Sequence, residues 1–248
     1  MADLGRGRER PKVWGGRGLR AIWAAGGEFF RFCAQRGKWP RPPALPGPPV
    51  WVSSRRMNSD VDAILRRYLV RWPGETGRQR RFGAFLDGHP SPGRLLRTNF
   101  AGHLTASGIV VDRSRERVLL IHHKRLDCWL QPGGHVELSD ESLAEAARRE
   151  VTEETGIPPA GLRLIGEGGE PLPIDLDSHN IPASAKKNEP AHVHHDVRYL
   201  FEVVDDHALS AQAAEVHAAK WWPIDEAAAA TDLAGVLRKV RQLNGSVA

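Results

Sequence analysis

The sequence predicts an α/β fold in which strands flank a central amphipathic helix. Two apolar, β-branched segments precede this helix, and three further strand-like segments follow it. A helix rich in alanine and leucine closes the pattern near the carboxyl end. Strands that alternate with helices in this way are typical of a mixed sheet packed between helices.

The first 56 residues differ in composition from the rest of the chain. They contain twelve Lys and Arg against three acidic residues, whereas residues 57–248 contain 23 basic and 27 acidic residues. The segment KWPRPPALPGPP cannot form a regular helix or a central strand. Residues 1–56 are therefore predicted to be a basic, Pro/Gly-rich, disordered leader, and the chain's high pI originates there.

Three interpretations of this leader stay open. The only methionines are Met1 and Met57, so one interpretation is that Met57 is the true start and the leader an upstream extension. A second is a targeting peptide, because the segment is arginine-rich and poor in acids. A third is a basic tail that binds nucleic acid or membrane.

Residues 57–99 predict an accessory helical segment. The stretch SDVDAILRRYLVRWP has apolar residues at helical spacing, with Ser59 or Asp60 as the cap. RQRRFGAFLDG predicts a second, shorter helix. Both would pack beside the main domain.

Residues 100–242 predict the main domain. HLTASGIVVD and ERVLLIHHK predict two paired strands, and LRLIGEGG, VHHDVRYLFEVV and HAAKWWPI predict three more. Asp225 or Thr231 would open a C-terminal helix that ends near Gln242. The proline-rich stretch from Gly166 to Asp196 is predicted to be a long connection, and loops of that length are usually functional or disordered.

The composition also indicates the cellular compartment in which the protein is expected. No apolar run approaches the roughly 18 residues that a membrane-spanning helix needs. Cys33 and Cys128 form neither a disulfide framework nor a zinc pattern, which indicates a reducing, cytoplasmic location. We expect Cys128 to be a small buried hydrophobic residue rather than a nucleophile.

The most informative run is QPGGHVELSDESLAEAARREVTEETGI, from Gln131 to Ile157. Ser142 with Glu145 forms a capping box, and Gly156 is a left-handed stop, so a helix is predicted from Leu143 to Thr155.

Three carboxylates share the inward arc of this helix at roughly 100° per residue: Glu150, Glu153 and Glu154. Burying them without compensation would cost several kcal/mol per charge. A hard divalent cation compensates best, because Mg²⁺ prefers carboxylate oxygens. The alternative is a solvated acidic helix.

This run resembles the Nudix box, G-x5-E-x7-R-E-U-x-E-E-x-G-U with U an aliphatic residue. Glu141, the next seven residues and the segment from Arg149 to Ile157 match its second half without exception. Six residues instead of five separate Gly134 from Glu141, so strict counting puts His135 in the glycine slot. The box covers about residues 133–157, with a loop one residue longer than usual, and the wider resemblance covers about residues 100–240.

The resemblance implies a Nudix-type α/β/α sandwich with a mixed sheet. It also implies a hydrolase that uses Mg²⁺ or Mn²⁺ to cleave a diphosphate linkage in a nucleoside diphosphate derivative, by water attack on phosphorus. A non-catalytic nucleotide- or RNA-binding module is the alternative. The expected partner is a small molecule; nucleic acid and membrane are not expected, and a homodimer stays open.

The resemblance further implies roles for individual residues. Glu150, Glu153 and Glu154 would bind the metal, with the Gly133 carbonyl as a further ligand. Arg149 would pair with Glu141 and hold the loop against the helix.

The general base is predicted to be Glu154, acting on a water held by the metal. Glu137, Glu202 and Glu215 are the other candidates, and Glu137 and Glu215 are also predicted to contact the substrate. One histidine of the pair His122 and His123 should face the site, and His123 is expected to bind the substrate.

A polar stripe is predicted in the strand VHHDVRYLFEVV and just before it. His192, His194, Asp196 and Arg198 alternate, which places them on one face. We expect His194 and Arg198 to contact phosphate oxygens and Asp196 to orient a histidine. A transition-metal site and an edge strand with solvated polar residues are the alternatives.

Overall fold

The computed structural model describes residues 50–90, 92–167, 170–185, 188–211 and 214–245, and it describes side chains from Val61 to Asn244 within these ranges. The predicted leader, up to residue 49, lies outside the described residues. Residues 50–56, which the prediction assigned to the leader, belong to the first helix.

The described residues form five α-helices and eight strands, in an α/β arrangement. The helices are α1 (Val50–Arg71), α2 (Arg80–Gly88), α3 (Leu143–Thr155), α4 (Ile224–Ala230) and α5 (Ala234–Gly245). The strands are β1 (His103–Val111), β2 (Arg117–His123), β3 (Cys128–Leu130), β4 (Gly133–His135), β5 (Leu162–Ile165), β6 (Asp175–Ile181), β7 (His192–Val203) and β8 (Val216–Pro223).

All eight strands belong to one mixed sheet. Its main path runs β3-β2-β1-β7-β5, while β4 pairs with β1, β6 with β7 and β8 with β2. β1 and β7 are parallel, and the other pairings are antiparallel. Because β4 and β2 pair with different parts of β1, the glycine-containing strand β4 lies at the amino-terminal half of β1.

Two apolar layers separate the sheet from the helices. On one face, Ala106 and Val110 of β1 pack with Ala147 and Val151 of α3. On the other face, Ile109 and Val111 belong to a cluster with residues of α4 and α5. Each such fully buried aliphatic side chain contributes about 1.5–3 kcal/mol. The result is the α/β/α layering that the sequence predicts.

Helix α3 follows its local signals residue by residue. Ser142 is extended, and its side chain accepts a hydrogen bond from the Glu145 backbone N–H. Gly156 adopts a left-handed conformation with φ of 77°, and its N–H donates to the Thr152 carbonyl. The predicted bounds of Leu143 and Thr155, and both caps, are confirmed.

Several predicted boundaries were wrong. Helix α1 begins at Val50, nine residues before the predicted Ser59 cap, since no glycine or proline interrupts residues 50–71. The C-terminal helix is two helices, because Thr231 is extended at the end of α4 and its hydroxyl then accepts the Leu233 N–H.

The predicted burial of Cys128 was also wrong. Cys128 is exposed, since it lies at the end of β3 near a turn.

One prediction about the long connection and one alternative interpretation of the polar stripe were also wrong. The proline-rich connection contains a regular strand, β6, which starts only after Pro173 and pairs along β7. β7 is not an edge strand, since β1 lies on one side of it and β5 and β6 on the other. Among the described helices, none combines the length and apolarity needed to cross a membrane.

Candidate active site

The loop before α3 is held by Arg149. Its guanidinium donates to both carboxylate oxygens of Asp140, at 3.0 and 3.1 Å, and to the His135 carbonyl at 3.0 Å. Asp140 also accepts the Glu137 backbone N–H at 2.8 Å. The predicted pairing of Arg149 with Glu141 is therefore wrong: the longer loop turns Asp140 inward, and Glu141 is exposed.

The first carboxylate of the site is Glu150, which is half-buried. It accepts a hydrogen bond from Arg149 at 2.9 Å and lies against strand β4. A Cβ atom at Gly134 would come within 2.7 Å of the Glu150 carboxylate, so no larger residue fits there without displacing it. Burial raises the pKa of Glu150 to about 7, against the lowering effect of Arg149.

The second carboxylate is Glu154, which is buried and 4% exposed. Its Oε2 atom accepts the Gly133 backbone N–H at 2.8 Å. Gly133 is required at this point, since a Cβ atom there would lie 2.4 Å from the Ser107 hydroxyl oxygen on β1. Burial raises the pKa of Glu154 to about 8, and the negative charges of Glu150 and Glu215 add to that effect.

Three other acidic candidates are more exposed than this pair. Glu153 lies beside Arg149 at 3.4 Å and is half exposed. Glu215 is exposed, and its charge acts on Glu154. Glu137 is exposed on the loop and accepts a hydrogen bond from the Ser139 hydroxyl.

Glu202 is engaged elsewhere. It lies near the carboxyl end of β7, opposite Val111, whereas Gly133 pairs four residues earlier in β1 at Ser107. Both Arg115 and Arg163 donate to its carboxylate. Burial raises the pKa of Glu202, but these two arginines lower it below the usual value overall. Glu202 is thus an ion-pair partner at the opposite end of the sheet.

The two neighbouring histidines of β2 have different surroundings. The Nδ1 atom of His123 accepts the backbone N–H groups of Arg125 and Leu126, which holds the following turn. His123 pairs with Val216, the residue after Glu215. His122 contacts the Trp129 ring, and the partly buried Trp129 packs against the second apolar cluster.

The polar stripe of β7 is buried within the sheet except at His194, which is half-buried. Asp196 accepts hydrogen bonds from Thr105 and Ser107 of β1 and from Gln131, at 2.8–3.2 Å. The predicted role of Asp196 in orienting a histidine stays a prediction. Arg198 also donates to Asp196, at 3.0 Å.

Arg198 joins a buried ionic network. Its guanidinium also donates to Asp175 at 3.0 Å and to Asp177 at 3.1 Å. Lys239 of α5 and Arg78 donate to the same Asp175 carboxylate at 2.8 Å. The predicted contact of Arg198 with a substrate phosphate stays a prediction, and it would require these acids to release the guanidinium.

Four histidine rings cluster at the amino-terminal end of β1. His103 lies 4.7 Å from His194, 5.1 Å from His192 and 5.2 Å from His135, measured between ring centroids. Burial and the neighbouring histidines lower the pKa of His194 to about 2, so its ring is neutral near pH 7. The sequence did not lead us to predict that His103 and His135 lie beside the stripe. The only sequence feature that indicated it was the position of His135 in the glycine slot.

Comparison with known proteins places this geometry in a family. The model of the NUDIX domain matches residues 102–243, more than half of the chain. The chain belongs to the NUDIX domain family. The match covers the sheet, helix α3 with its carboxylates, and nearly all of the C-terminal helices.

A bacterial protein is similar in sequence to part of this chain. A protein of Lactococcus lactis subsp. cremoris (strain MG1363), named probable DHNTP pyrophosphohydrolase, is 33% identical over 109 residues, which are 44% of this chain and 59% of that protein. The chain thus aligns with less than two thirds of that relative's length.

Solved structures resemble it more distantly. A C. elegans Ap4A hydrolase complex is 18% identical with a TM-score of 0.45, covering 58% of this chain and 98% of the other. The E. coli dihydroneopterin triphosphate pyrophosphohydrolase is 21% identical with a TM-score of 0.44, covering 56% and 92%.

Proposed function

We propose that the protein is a divalent-metal-dependent pyrophosphohydrolase that cleaves a diphosphate linkage in a nucleoside diphosphate derivative by water attack on phosphorus. The observation that carries this proposal is the pair of carboxylates on α3, half-buried Glu150 and buried Glu154, which lie beside the glycines of β4. Burial raises the pKa of each carboxyl, and the charges of neighbouring carboxylates raise it further.

The donor set fits a hard divalent cation. Carboxylate oxygens are the ligands that Mg²⁺ and Mn²⁺ prefer. The nearest cation, Arg149, is already shared among Asp140, Glu150 and the His135 carbonyl. Glu150, Glu153 and Glu154 would hold the metal, with the Gly133 carbonyl beside them. When bound, such an ion neutralises charge on the diphosphate oxygens and makes a bound water more acidic.

The protein's own groups would position the reaction around this ion. Arg149 fixes the loop through Asp140 and orients Glu150. The Gly133 N–H holds Oε2 of Glu154. We assign Glu154 as the acceptor of the proton from the attacking water, because it is the most deeply buried acid of α3 and its carboxylate is held in place by the Gly133 N–H.

Glu215 is the second candidate for this base. Its exposed carboxylate acts on Glu154 from the segment before β8, where it can reach a water on the solvent side. Glu137 and His123 are proposed to contact the substrate, since both lie on segments that border β4 or β8. Substitutions distinguish these proposed roles, because loss of the base lowers kcat, whereas loss of a substrate contact raises KM.

The substrate class is supported by the family and by one relative's name. The Lactococcus relative is named as a probable pyrophosphohydrolase of DHNTP, so this compound belongs in any test. Nucleoside diphosphate derivatives share with it a phosphoanhydride linked to a larger group, and this shared linkage is what the carboxylate site would recognise with its metal.

The test is hydrolysis across a panel of substrates, with and without Mg²⁺ or Mn²⁺. The panel contains nucleotide sugars, dinucleotides, deoxynucleoside triphosphates, coenzyme A and DHNTP. We expect phosphate or nucleotide release from at least one compound, only with metal, and incorporation of oxygen from labelled water into a phosphate product. Tight binding without release of any product would instead favour the non-catalytic nucleotide-binding module.

A further inference from the structure

A second group of metal-ligating side chains lies outside the carboxylate site. His103 of β1, His135 of β4 and His194 of β7 come from three strands that neighbour one another in the sheet. One nitrogen of each ring lies within 4.8 Å of the corresponding nitrogens of the other two. Nitrogens on one tetrahedral zinc ion lie about 3.3 Å apart, given Zn–N bonds of about 2.0–2.1 Å, so small rotations of the side chains would bring all three onto one ion.

The buried Nε2 atom of His103 indicates a binding site for a ligand. His103 is 1% exposed, and its Nδ1 lies 3.2 Å from the Asn99 carbonyl. A carbonyl oxygen only accepts, so Nδ1 must carry the proton and Nε2 must present a lone pair. Among the described residues, this buried Nε2 atom has no hydrogen-bond partner. A lone pair that is buried without a donor is rare in proteins and calls for an occupant.

The surroundings also resemble those of metal-bound imidazoles. A histidine that binds a metal usually donates its other ring N–H to a carbonyl or a carboxylate, which fixes the orientation of the ring. The Asn99 carbonyl serves His103 in this way. His192 is fixed similarly, with Nδ1 2.8 Å from the Pro190 carbonyl, and its Nε2 lies 3.2 Å from Nε2 of His194.

The three imidazoles differ chemically and spatially from the carboxylates of α3. Gly134 faces Glu150, and successive residues of a strand point to opposite faces, so His135 points away from Glu150. Imidazole nitrogens favour zinc and neighbouring transition metals, whereas carboxylates favour Mg²⁺ or Mn²⁺. His135 and His194 are only half-buried, so an ion could enter from solvent.

We propose that His103, His135 and His194 form a transition-metal site, with Zn²⁺ as the fitting ion, separate from the carboxylates of α3. Three protein ligands leave a fourth, solvent-facing position on a tetrahedral ion. That position lies at the end of the sheet next to β4, the strand that carries the glycines of the carboxylate site. The proposal does not depend on the hydrolytic activity proposed above.

The experiment uses the full chain, produced without a histidine tag, stripped with a chelator and dialysed against Zn²⁺. We expect one zinc ion per chain by elemental analysis in the wild type. His135→Asn and His194→Asn should each weaken zinc binding at least tenfold. Two matched controls should keep it: His217→Asn, an exposed histidine on β8, and Glu154→Gln, which alters the carboxylate site.

Co²⁺ provides a second readout that reports the ligands directly. The wild type and Glu154→Gln should show the strong visible bands of tetrahedral Co²⁺, and the two histidine variants should lose them. Thermal melting without metal checks that the variants fold. Should a histidine variant fail to fold, the Co²⁺ spectra of the wild type and Glu154→Gln decide. Absence of stoichiometric zinc in the wild type, retention by both histidine variants, or loss in Glu154→Gln would overturn the proposal.

Discussion

Arg149 and Asp140 form a two-pronged ion pair, with Nε to Oδ1 at 3.0 Å and Nη2 to Oδ2 at 3.1 Å. The same arginine donates to Glu150 and to the His135 carbonyl, so one side chain joins the loop, strand β4 and the carboxylate site. Asp140 is buried, whereas the neighbouring Glu141 is exposed. The acid that holds the loop is therefore one residue earlier than the acid that the box pattern selects.

This pairing predicts opposite results for two neighbouring acids. Asp140→Ala should destabilise the fold by about 2–4 kcal/mol and lower any metal-dependent activity, because it leaves Arg149 partly unpaired near Glu150. Glu141→Ala should change the free energy of unfolding by less than about 0.5 kcal/mol. Urea denaturation of both variants and the wild type measures the difference. Equal effects at the two positions would contradict the assignment.

The raised pKa values of Glu150 and Glu154 predict how the free energy of unfolding depends on pH without metal. The pKa of Glu154 is raised to about 8 and that of Glu150 to about 7, both above the value of about 4.3 in an unfolded chain. Between these values the folded state binds more protons than the unfolded state, so the free energy of unfolding should fall as pH rises from about 4.5 to 8.

Glu154→Gln and Mg²⁺ should each weaken this dependence. The amide cannot ionise, and a bound cation offsets the carboxylate charge. Thermal melting of the metal-free wild type and Glu154→Gln, from pH 5 to 8, checks the prediction, with Glu145→Gln as a control on the exposed face of α3. A wild-type melting temperature that rises steadily across this range would count against the raised pKa values.

Gly134 offers a steric test of the carboxylate site. A Cβ atom there would lie 2.7 Å from a Glu150 carboxylate oxygen, so Gly134→Ala should displace that carboxylate and weaken Mn²⁺ binding at least tenfold. Gly74→Ala is the matched control, since its Cβ atom would meet nothing within 4 Å. Titration with Mn²⁺, followed by electron paramagnetic resonance, measures both. Unchanged affinity in Gly134→Ala would place the metal elsewhere.

Asp175 predicts a large loss of stability upon substitution. It is 1% exposed and accepts from Arg78, Arg198 and Lys239. Burial raises the pKa of Asp175, but these three cations lower it below its usual range overall. Asp175→Asn should therefore cost about 3–5 kcal/mol near pH 7, as for other broken buried ion pairs.

The control for Asp175 is Asp127→Asn, whose carboxylate is exposed. Because the folded pKa of Asp175 is depressed, its contribution is present above the unfolded value of about 3.9 and is lost as pH falls below it. Denaturation curves at pH 7 and pH 3 should thus differ much more for the wild type than for Asp175→Asn. A similar pH difference in both proteins would contradict the account of this network.

The sequence predicts best where structure is determined locally. Helix α3 was placed correctly because Ser142, Gly156 and the helical periodicity act within a few residues. Strand β6 was missed because its flanking prolines favour a loop, and its alternating acids face buried cations, not water. The convergence of His103, His135 and His194 depends on the pairing of three strands, and no local pattern specifies that pairing.

The most direct test of the account compares Glu154→Gln with Glu145→Gln in the metal-dependent hydrolysis of a diphosphate substrate. The two glutamates lie on the same helix, one buried beside Gly133 and the other exposed. We predict that Glu145→Gln keeps the wild-type rate with Mg²⁺, while Glu154→Gln loses at least a thousandfold in kcat and still folds. A Glu154→Gln protein with wild-type turnover would contradict the central claim that Glu150 and Glu154 form the catalytic site.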